Sequence, residues 1–222
     1  MQKKNIIHFD LKLSNILLDY KGHIKLCDFN SAKKKTNGRT IAGTPVIMAP
    51  EIIGRAQESD NEVSDWWSFG CILYRMLIGN YPYEDAKCKE LFRKIRKKEA
   101  EKKELYSFYK NLKFPDDIEI GEKAKDLIIK LLEFEPSKRL GFSGAEEIKK
   151  HPFFEGVNWD EYMNKTPEPP LKPYIESPED LRNFYLVRDI DENEINNEQN
   201  SEDEEKELED FNYASNTFKE NL

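Results

Sequence analysis

The sequence has few cysteines, no long apolar run and no internal repeat. Cys27, Cys71 and Cys88 are scattered without the spacing of metal ligands, which argues against a disulfide framework and indicates reduced thiols. No stretch of 18 apolar residues is present, so no membrane-spanning helix is expected. The first four residues, Met-Gln-Lys-Lys, lack the apolar core of a signal peptide. We therefore expect a cytoplasmic or nuclear protein with no membrane partner.

A strong basic patch is also missing. The formal net charge is −8, but the excess of acid is local, because residues 189–210 hold twelve carboxylates and one base, Lys206. Residues 1–188 carry 33 basic and 30 acidic side chains. This balance gives no reason to expect a nucleic-acid partner. The acidic stretch is predicted to be a solvated, disordered tail.

What the sequence does contain is a set of polar residues in the order that phosphoryl transfer from ATP requires. Residues 8–15 read His-Phe-Asp-Leu-Lys-Leu-Ser-Asn, and residues 28–30 read Asp-Phe-Asn. Asp10 is a candidate for orienting a substrate hydroxyl, Asn15 for holding a metal ion, and Asp28 for holding the metal that bridges the ATP phosphates.

Short strands are predicted on either side of a tight turn, at residues 16–19 and 23–26. Because Asp10 precedes this hairpin and Asp28 follows it, the hairpin places both carboxylates on the same rim. The next stretch, residues 30–48, is rich in Lys, Thr, Gly and Asn without a sustained period. It is predicted to be a long flexible loop, and loops of this length are usually functional.

Helical periodicity dominates the rest of the chain. Helices are predicted at residues 64–78, 87–110, 121–134 and 145–150. The helix predicted at 64–78 has apolar residues around most of its circumference, which is typical of a helix at the centre of a domain. From residue 167 onward the proline density rises and the regular pattern ends, which indicates a change from domain to tail.

Several further motifs occur in the order found in one protein family. They read Gly-Thr-Pro at 43–45, Ala-Pro-Glu at 49–51, Asp-Trp-Trp-Ser-Phe-Gly at 65–70, Arg-Leu-Gly at 139–141 and Pro-Leu-Lys-Pro at 170–173. With the two motifs at 8–15 and 28–30, this chain resembles the carboxy-terminal lobe and tail of the AGC group of eukaryotic Ser/Thr protein kinases.

The resemblance implies an α+β, protein kinase-like fold. It consists of a mainly α-helical large lobe, with a small β-hairpin at the catalytic loop, followed by an extended tail. The large lobe is expected at residues 1–154 and the AGC-type tail at residues 155–222, including the acidic disordered stretch at about 189–210. Protein substrates, ATP and Mg²⁺ are the partners and cofactors that the resemblance implies.

Roles in the reaction also follow from the resemblance. Asp10 is expected to accept the hydroxyl proton or to align the nucleophile. Lys12 is expected to neutralise charge on the transferred phosphoryl group. Thr44 is expected to bridge Asp10 and Lys12 and to favour Ser or Thr substrates.

The same resemblance assigns the nucleotide site and its supports. Asn15 and Asp28 are expected to ligate Mg²⁺ through oxygen, and Leu17 is expected to lie under the adenine ring of ATP. The supporting groups and a regulatory site are expected elsewhere: a buried ion pair between Glu51 and Arg139, Asp65 as an acceptor of catalytic-loop backbone N–H groups, and Thr40 as an activation-loop phosphorylation site.

The sequence departs from the family pattern at four informative positions. Phe9 replaces the Arg that normally pairs with an activation-loop phosphate, and Asn30 replaces a Gly for which Asn is the best left-handed substitute. Ser14 and Arg75 replace carboxylates that read a substrate arginine. A preference for basic substrates is therefore expected to be lost.

No Gly-rich phosphate loop, strand lysine or partnering helix glutamate precedes Ile6. The chain is therefore expected to lack the small lobe, and an apolar face is expected to be exposed, to be covered by a partner protein or by that lobe. Three interpretations stay open at this point. The chain is an active Ser/Thr kinase, a catalytically inactive fragment or pseudokinase that binds protein partners, or part of a longer gene product.

Overall fold

The computed structural model describes residues 4, 6–34, 43–54, 63–97, 101–177, 180 and 182–183. The chain divides into two units, residues 1–173 and residues 174–222, and the helices and strands named below lie in the first. The acidic stretch predicted at 189–210 and the phosphorylation site predicted at Thr40 lie outside the described residues.

Four short strands form two antiparallel ribbons. They pair as β1 (Ile6–Ile7) with β4 (Lys33–Lys34) and as β2 (Ile16–Leu18) with β3 (Ile24–Leu26). The β2–β3 hairpin confirms the predicted one. The first ribbon was not predicted, because two-residue strands are too short to show alternation. Since β4 lies within residues 30–48, the prediction of a structureless loop is wrong there.

The described residues hold seven α-helices, which make up most of the regular structure. They are α1 (Pro50–Ile53), α2 (Val63–Ile78), α3 (Asp85–Arg96), α4 (Lys102–Tyr109), α5 (Glu122–Leu131), α6 (Ala145–Lys149) and α7 (Trp159–Met163). The helix predicted at 64–78 is α2. The helical region predicted at 87–110 contains two helices, α3 and α4.

Helix α2 forms the centre of the core and packs against α5. Trp67, Cys71 and Ile72 of α2 are buried, and so are Leu127 and Leu131 of α5. The crossing is close at Gly70 of α2, where a Cβ atom would lie 2.9 Å from Cβ of Leu131. Glycine is therefore needed at this point for the two helices to approach each other.

The three cysteines differ in exposure. Cys71 and Cys88 are fully buried, whereas Cys27 is partly exposed. Burial raises the pKa of Cys88 to about 12 and also raises the pKa of Cys71, because a thiolate is poorly solvated in an apolar core. Both buried thiols are therefore protonated at neutral pH.

Candidate active site

The carboxylate of Asp10 lies at the centre of a cluster with Thr44 and Lys12. Thr44 donates to Oδ1 of Asp10 twice, from its backbone N–H at 2.9 Å and from its hydroxyl at 2.7 Å. The Lys12 ammonium lies 2.8 Å from Oδ2 of Asp10 and donates to the Thr44 hydroxyl at 3.3 Å. The structure thus brings Thr44 against Asp10 and Lys12, from which it is separated by 34 and 32 positions in the sequence.

The charge of Asp10 is stabilised by this cluster. Burial by itself would raise the pKa of Asp10, but hydrogen bonds from Lys12 and Thr44 and the positive charge of Lys12 outweigh it. They hold the pKa of Asp10 below its ordinary value of 3.8. Asp10 is therefore an ionised acceptor at neutral pH.

Asn15 lies directly behind Asp10, at the start of the β2–β3 hairpin. Its amide nitrogen Nδ2 donates to the backbone oxygen of Asp10 at 2.9 Å and to Oδ2 of Asp10 at 3.4 Å. No donor from the described residues bonds to its amide oxygen Oδ1. At the open end of the hairpin, the Cys27 N–H donates to the Asn15 backbone oxygen at 3.0 Å. Asp28 is the next residue after Cys27, so its backbone lies beside Asn15.

The carboxylate of Asp28 is exposed, and within the described residues no hydrogen bond or ion pair engages it. Its backbone is left-handed, with a φ of 58°, which a short polar side chain tolerates better than a bulky one. Leu17 projects from the hairpin face opposite Ile16 and Leu18 and is 38% exposed. Asn15, Leu17 and Asp28 therefore all belong to one hairpin.

Asp65, at the start of α2, holds the backbone that precedes Asp10. Its two carboxylate oxygens accept the N–H groups of His8 at 2.8 Å and Phe9 at 3.0 Å. Phe9 has a φ of 65°, an unusual conformation for a bulky residue. The two hydrogen bonds that Asp65 accepts stabilise this conformation. They therefore fix the path of the backbone into Asp10.

The side chain of Phe9 is packed into the core. It is 4% exposed and belongs to the buried cluster that contains Met48, Ala49 and Ile52. The backbone of Gly43, with a φ of 107°, passes so close that a Cβ atom there would collide with the carbonyl oxygen of Phe9. An apolar contact and a close backbone approach therefore join residues 43–52 to the loop that carries Asp10.

Arg139 and Glu51 form a bidentate ion pair. Nη1 and Nη2 of Arg139 lie 2.6 Å and 2.9 Å from the two oxygens of Glu51. The guanidinium also donates to the backbone oxygens of Glu133 at 2.9 Å and Val63 at 3.1 Å, and it lies 5.1 Å from the Trp67 ring. The Arg139 side chain is fully buried, so this pair joins α1 to α2 and to the loop after α5.

Two supporting groups were not singled out from the sequence. Gly43 is one of them. The other is the buried hydroxyl of Ser68, which donates to the backbone oxygen of Ile47 at 2.9 Å and ties the turn after Thr44 to α2. A hydroxyl among the apolar residues of a central helix was the available signal, because a buried hydroxyl needs a partner.

Two features are absent from the part of the chain that the structure describes. No group of three or more His, Cys, Asp and Glu residues is arranged to hold a metal there. None of the helices described has the length and apolarity needed to cross a membrane.

Comparison with known proteins identifies the family. The family model described as "Protein kinase domain" matches residues 1–154. Serine/threonine-protein kinase gad8 of Schizosaccharomyces pombe is 44% identical over 184 residues, and serine/threonine-protein kinase YPK2/YKR2 of Saccharomyces cerevisiae is 40% identical over 188 residues. The chain belongs to the protein kinase family. Its similarity to these relatives supports the AGC group of Ser/Thr kinases within that family.

These similarities cover most of the kinase chain but a smaller share of its relatives. The match to gad8 covers 81% of the chain and 30% of the relative. Those to YPK2/YKR2 and to human protein kinase C delta type, which is 40% identical over 188 residues, each cover 83% of the chain and 25% of the relative. The chain thus spans about a quarter to a third of the length of these relatives.

Proposed function

We propose that this chain carries the phosphotransfer site of a Ser/Thr protein kinase, which transfers the γ-phosphoryl group of ATP to a protein hydroxyl. The single observation that carries the proposal is the cluster in which Thr44 and Lys12 converge on the ionised carboxylate of Asp10. An ionised acceptor beside a cation and an oriented hydroxyl suits the alignment of a nucleophile for phosphoryl transfer.

Each residue of the cluster has a distinct task in this proposal. Asp10 accepts a hydrogen bond from the substrate hydroxyl and aligns its oxygen for attack. Lys12, held by its ion pair with Asp10, presents a positive charge to the phosphoryl group as it transfers. Thr44 fixes Oδ1 of Asp10 with two bonds, so that Asp10 needs little reorganisation when the substrate binds.

Asn15 and Asp28 suit a hard divalent cation. Such ions prefer carboxylate and amide oxygens, and both residues offer one that is not engaged by the described residues. The cation supplies neutralisation of the phosphate charge. Asn15 orients its oxygen because its Nδ2 is fixed by Asp10, whereas Asp28 is held beside it by the hairpin.

Titration calorimetry with Mg²⁺–ATP tests the nucleotide site. The unmodified chain should release heat on binding, and Asp28→Ala should reduce that heat strongly because one of two metal ligands is lost. Asp116→Ala, which removes an exposed carboxylate from a turn, serves as the matched control and should bind normally. Absence of heat, or heat that Asp28→Ala leaves unchanged, would count against the proposal.

We also propose that the site does not select basic substrates. Ser14 is exposed, and the Arg75 guanidinium lies 4.4 Å from the centre of the Tyr81 ring, so neither residue offers a carboxylate to a substrate arginine. A peptide array should give no selection for Arg two residues before the acceptor, and Arg75→Glu should introduce such selection. Selection for Arg by the unmodified chain would sink this idea.

A further inference from the structure

The closed end of the β2–β3 hairpin is a turn stabilised by Asp19. Its Oδ1 accepts the N–H groups of Lys21 at 3.0 Å and His23 at 2.9 Å, and its backbone oxygen accepts the N–H of Gly22 at 2.8 Å. The bond to the His23 N–H, more than any other cause, lowers the pKa of Asp19. The turn is therefore well defined, and it holds Gly22 in place.

Gly22 is buried and lies against a distant part of the chain. Its φ is 90°, a conformation that favours glycine. A Cβ atom at Gly22 would collide with the carbonyl oxygen of Leu171 and would lie 2.8 Å from Cβ of Pro169. The backbone at residues 169–171 therefore crosses the turn at a point that only glycine leaves open.

The crossing segment is residues 167–173, which we call the strap. Pro167, Pro169 and Pro173 are half-buried, whereas the Leu171 side chain is 65% exposed. The strap therefore contacts the turn of the hairpin through the Pro169 ring and the Leu171 carbonyl rather than through a large apolar side chain. Prolines restrict φ, so this segment loses little conformational entropy when it is held in an extended form.

The hairpin needs support at this end. Its strands have three residues each, and a two-stranded ribbon of that size is marginal in water. Ile16, Leu18, Ile24 and Leu26 share one face by register, and the last three are exposed. The open end of the hairpin carries Asn15 and leads into Asp28, so a slip of the strands would move these two residues apart.

We propose that the strap positions the hairpin and thereby fixes the position of Asn15 relative to Asp28. Gly22 makes this possible, because its missing side chain leaves room for the strap. The effect of the strap on Mg²⁺–ATP binding rests on the proposed function. The stabilisation of the hairpin by the strap does not rest on it.

Hydrogen–deuterium exchange tests the structural part with a matched pair of variants. Gly22→Ala adds a Cβ where the strap lies. Gly156→Ala adds one at a φ of 84°, where it would meet no atom within 4 Å in the described part of the chain. Gly22→Ala should accelerate exchange by about tenfold in peptides covering 16–26, and Gly156→Ala should not. Equal effects of the two variants would overturn the proposal.

A second variant leaves the hairpin sequence intact. Replacing Pro169 and Pro170 together by Gly loosens the strap without adding an atom near Gly22. Exchange in peptides covering 16–26 should again rise about tenfold, while α2 and α5 exchange as in the unmodified chain. Unchanged exchange in 16–26 would show that the hairpin does not depend on the strap.

Calorimetry separates the two proposals. If the unmodified chain binds Mg²⁺–ATP, loosening the strap should weaken binding by about tenfold in Kd, and an unchanged Kd would overturn the positioning of Asn15 and Asp28. If the unmodified chain does not bind, the proposed function fails, and the exchange data alone decide whether the strap holds the hairpin.

Discussion

The Asp10 carboxylate accepts contacts from four groups on three residues. Two come from Thr44, one from Lys12 and a longer one from Nδ2 of Asn15. Charge-assisted hydrogen bonds are about twice as strong as neutral ones. The arrangement of Lys12, Asn15 and Thr44 therefore depends on the charge of one side chain.

Replacing Asp10 by Asn should make this dependence measurable. The folded-state pKa of Asp10 is lowered below its ordinary value of 3.8, so the ionised group stabilises the fold at all pH values above the unfolded pKa. That contribution is lost as the pH falls through the folded pKa. Asp10→Asn should lower the urea midpoint at pH 7. The difference should begin to shrink as the pH falls below about 4 and should disappear once the pH has passed through the lowered folded-state pKa.

Asp116→Asn is the matched control for this experiment, because Asp116 is exposed in a turn. Its midpoint should follow that of the unmodified chain across the range. A difference between Asp10→Asn and the unmodified chain that persists undiminished at pH 2 would show that the Asp10 charge is not the cause.

The roles of single residues were only partly readable from the sequence. The spacing of Asp10, Lys12 and Asn15 placed them on one loop, which is a local relation. The burial of Phe9 was not predicted, because it depends on Met48, Ala49 and Ile52 packing around it from a distant segment. Gly43 was missed as a support for the same reason, since its neighbour Phe9 is remote in sequence.

Helix α1 is joined to the rest of the lobe by the ion pair of Glu51 with Arg139. Because Arg139 is fully buried, its charge has no access to water if Glu51 is neutralised. Glu51→Gln should therefore reduce the free energy of unfolding by about 3 kcal/mol. Urea unfolding followed by tryptophan fluorescence measures this, since the Trp67 ring lies beside the guanidinium.

An exposed pair gives the control for Glu51→Gln. Lys123 and Glu155 are 2.6 Å apart, but their side chains are 59% and 75% exposed. Exposed pairs of this kind contribute little to stability, so Glu155→Gln should leave the midpoint unchanged. An equal loss in both variants would mean that burial of the Glu51–Arg139 pair is not what matters.

Long elements were easier to predict than short ones. Helices α2 and α5 were predicted because their apolar residues repeat at helical spacing over 16 and 10 residues. Strands β1 and β4 have two residues each, and their pairing joins Ile7 to Lys33, which are 26 positions apart. Helix α7 has five residues and was also missed, although Asn158 caps it by accepting from the Glu161 N–H at 3.4 Å.

Exposed apolar residues gather on the β2–β3 hairpin. Ile24 is 66% exposed, and Leu18 and Leu26 on the same face are also exposed. The expectation of an uncovered apolar face stays a prediction, and this face of the hairpin is the surface on which it is tested. An apolar face of this kind favours association.

Sedimentation velocity should therefore detect self-association of the chain that increases with concentration. Ile24→Glu should reduce it, because it introduces a charge into the apolar face. Ile129→Glu changes a residue that is 52% exposed on α5 and serves as the control. A chain that stays monomeric at high concentration, or that associates equally in both variants, would contradict the prediction.

The two buried cysteines allow unfolding of this protein to be followed by chemical labelling. Cys71 lies on α2 and Cys88 on α3, and both thiols are enclosed and protonated in the native state. An alkylating reagent can therefore reach them only when these helices separate from the core. In a chain that carries Cys27→Ser, each opening that reaches α2 or α3 would leave a permanent covalent mark, so that the mass of the protein reports how often its core has been exposed to solvent.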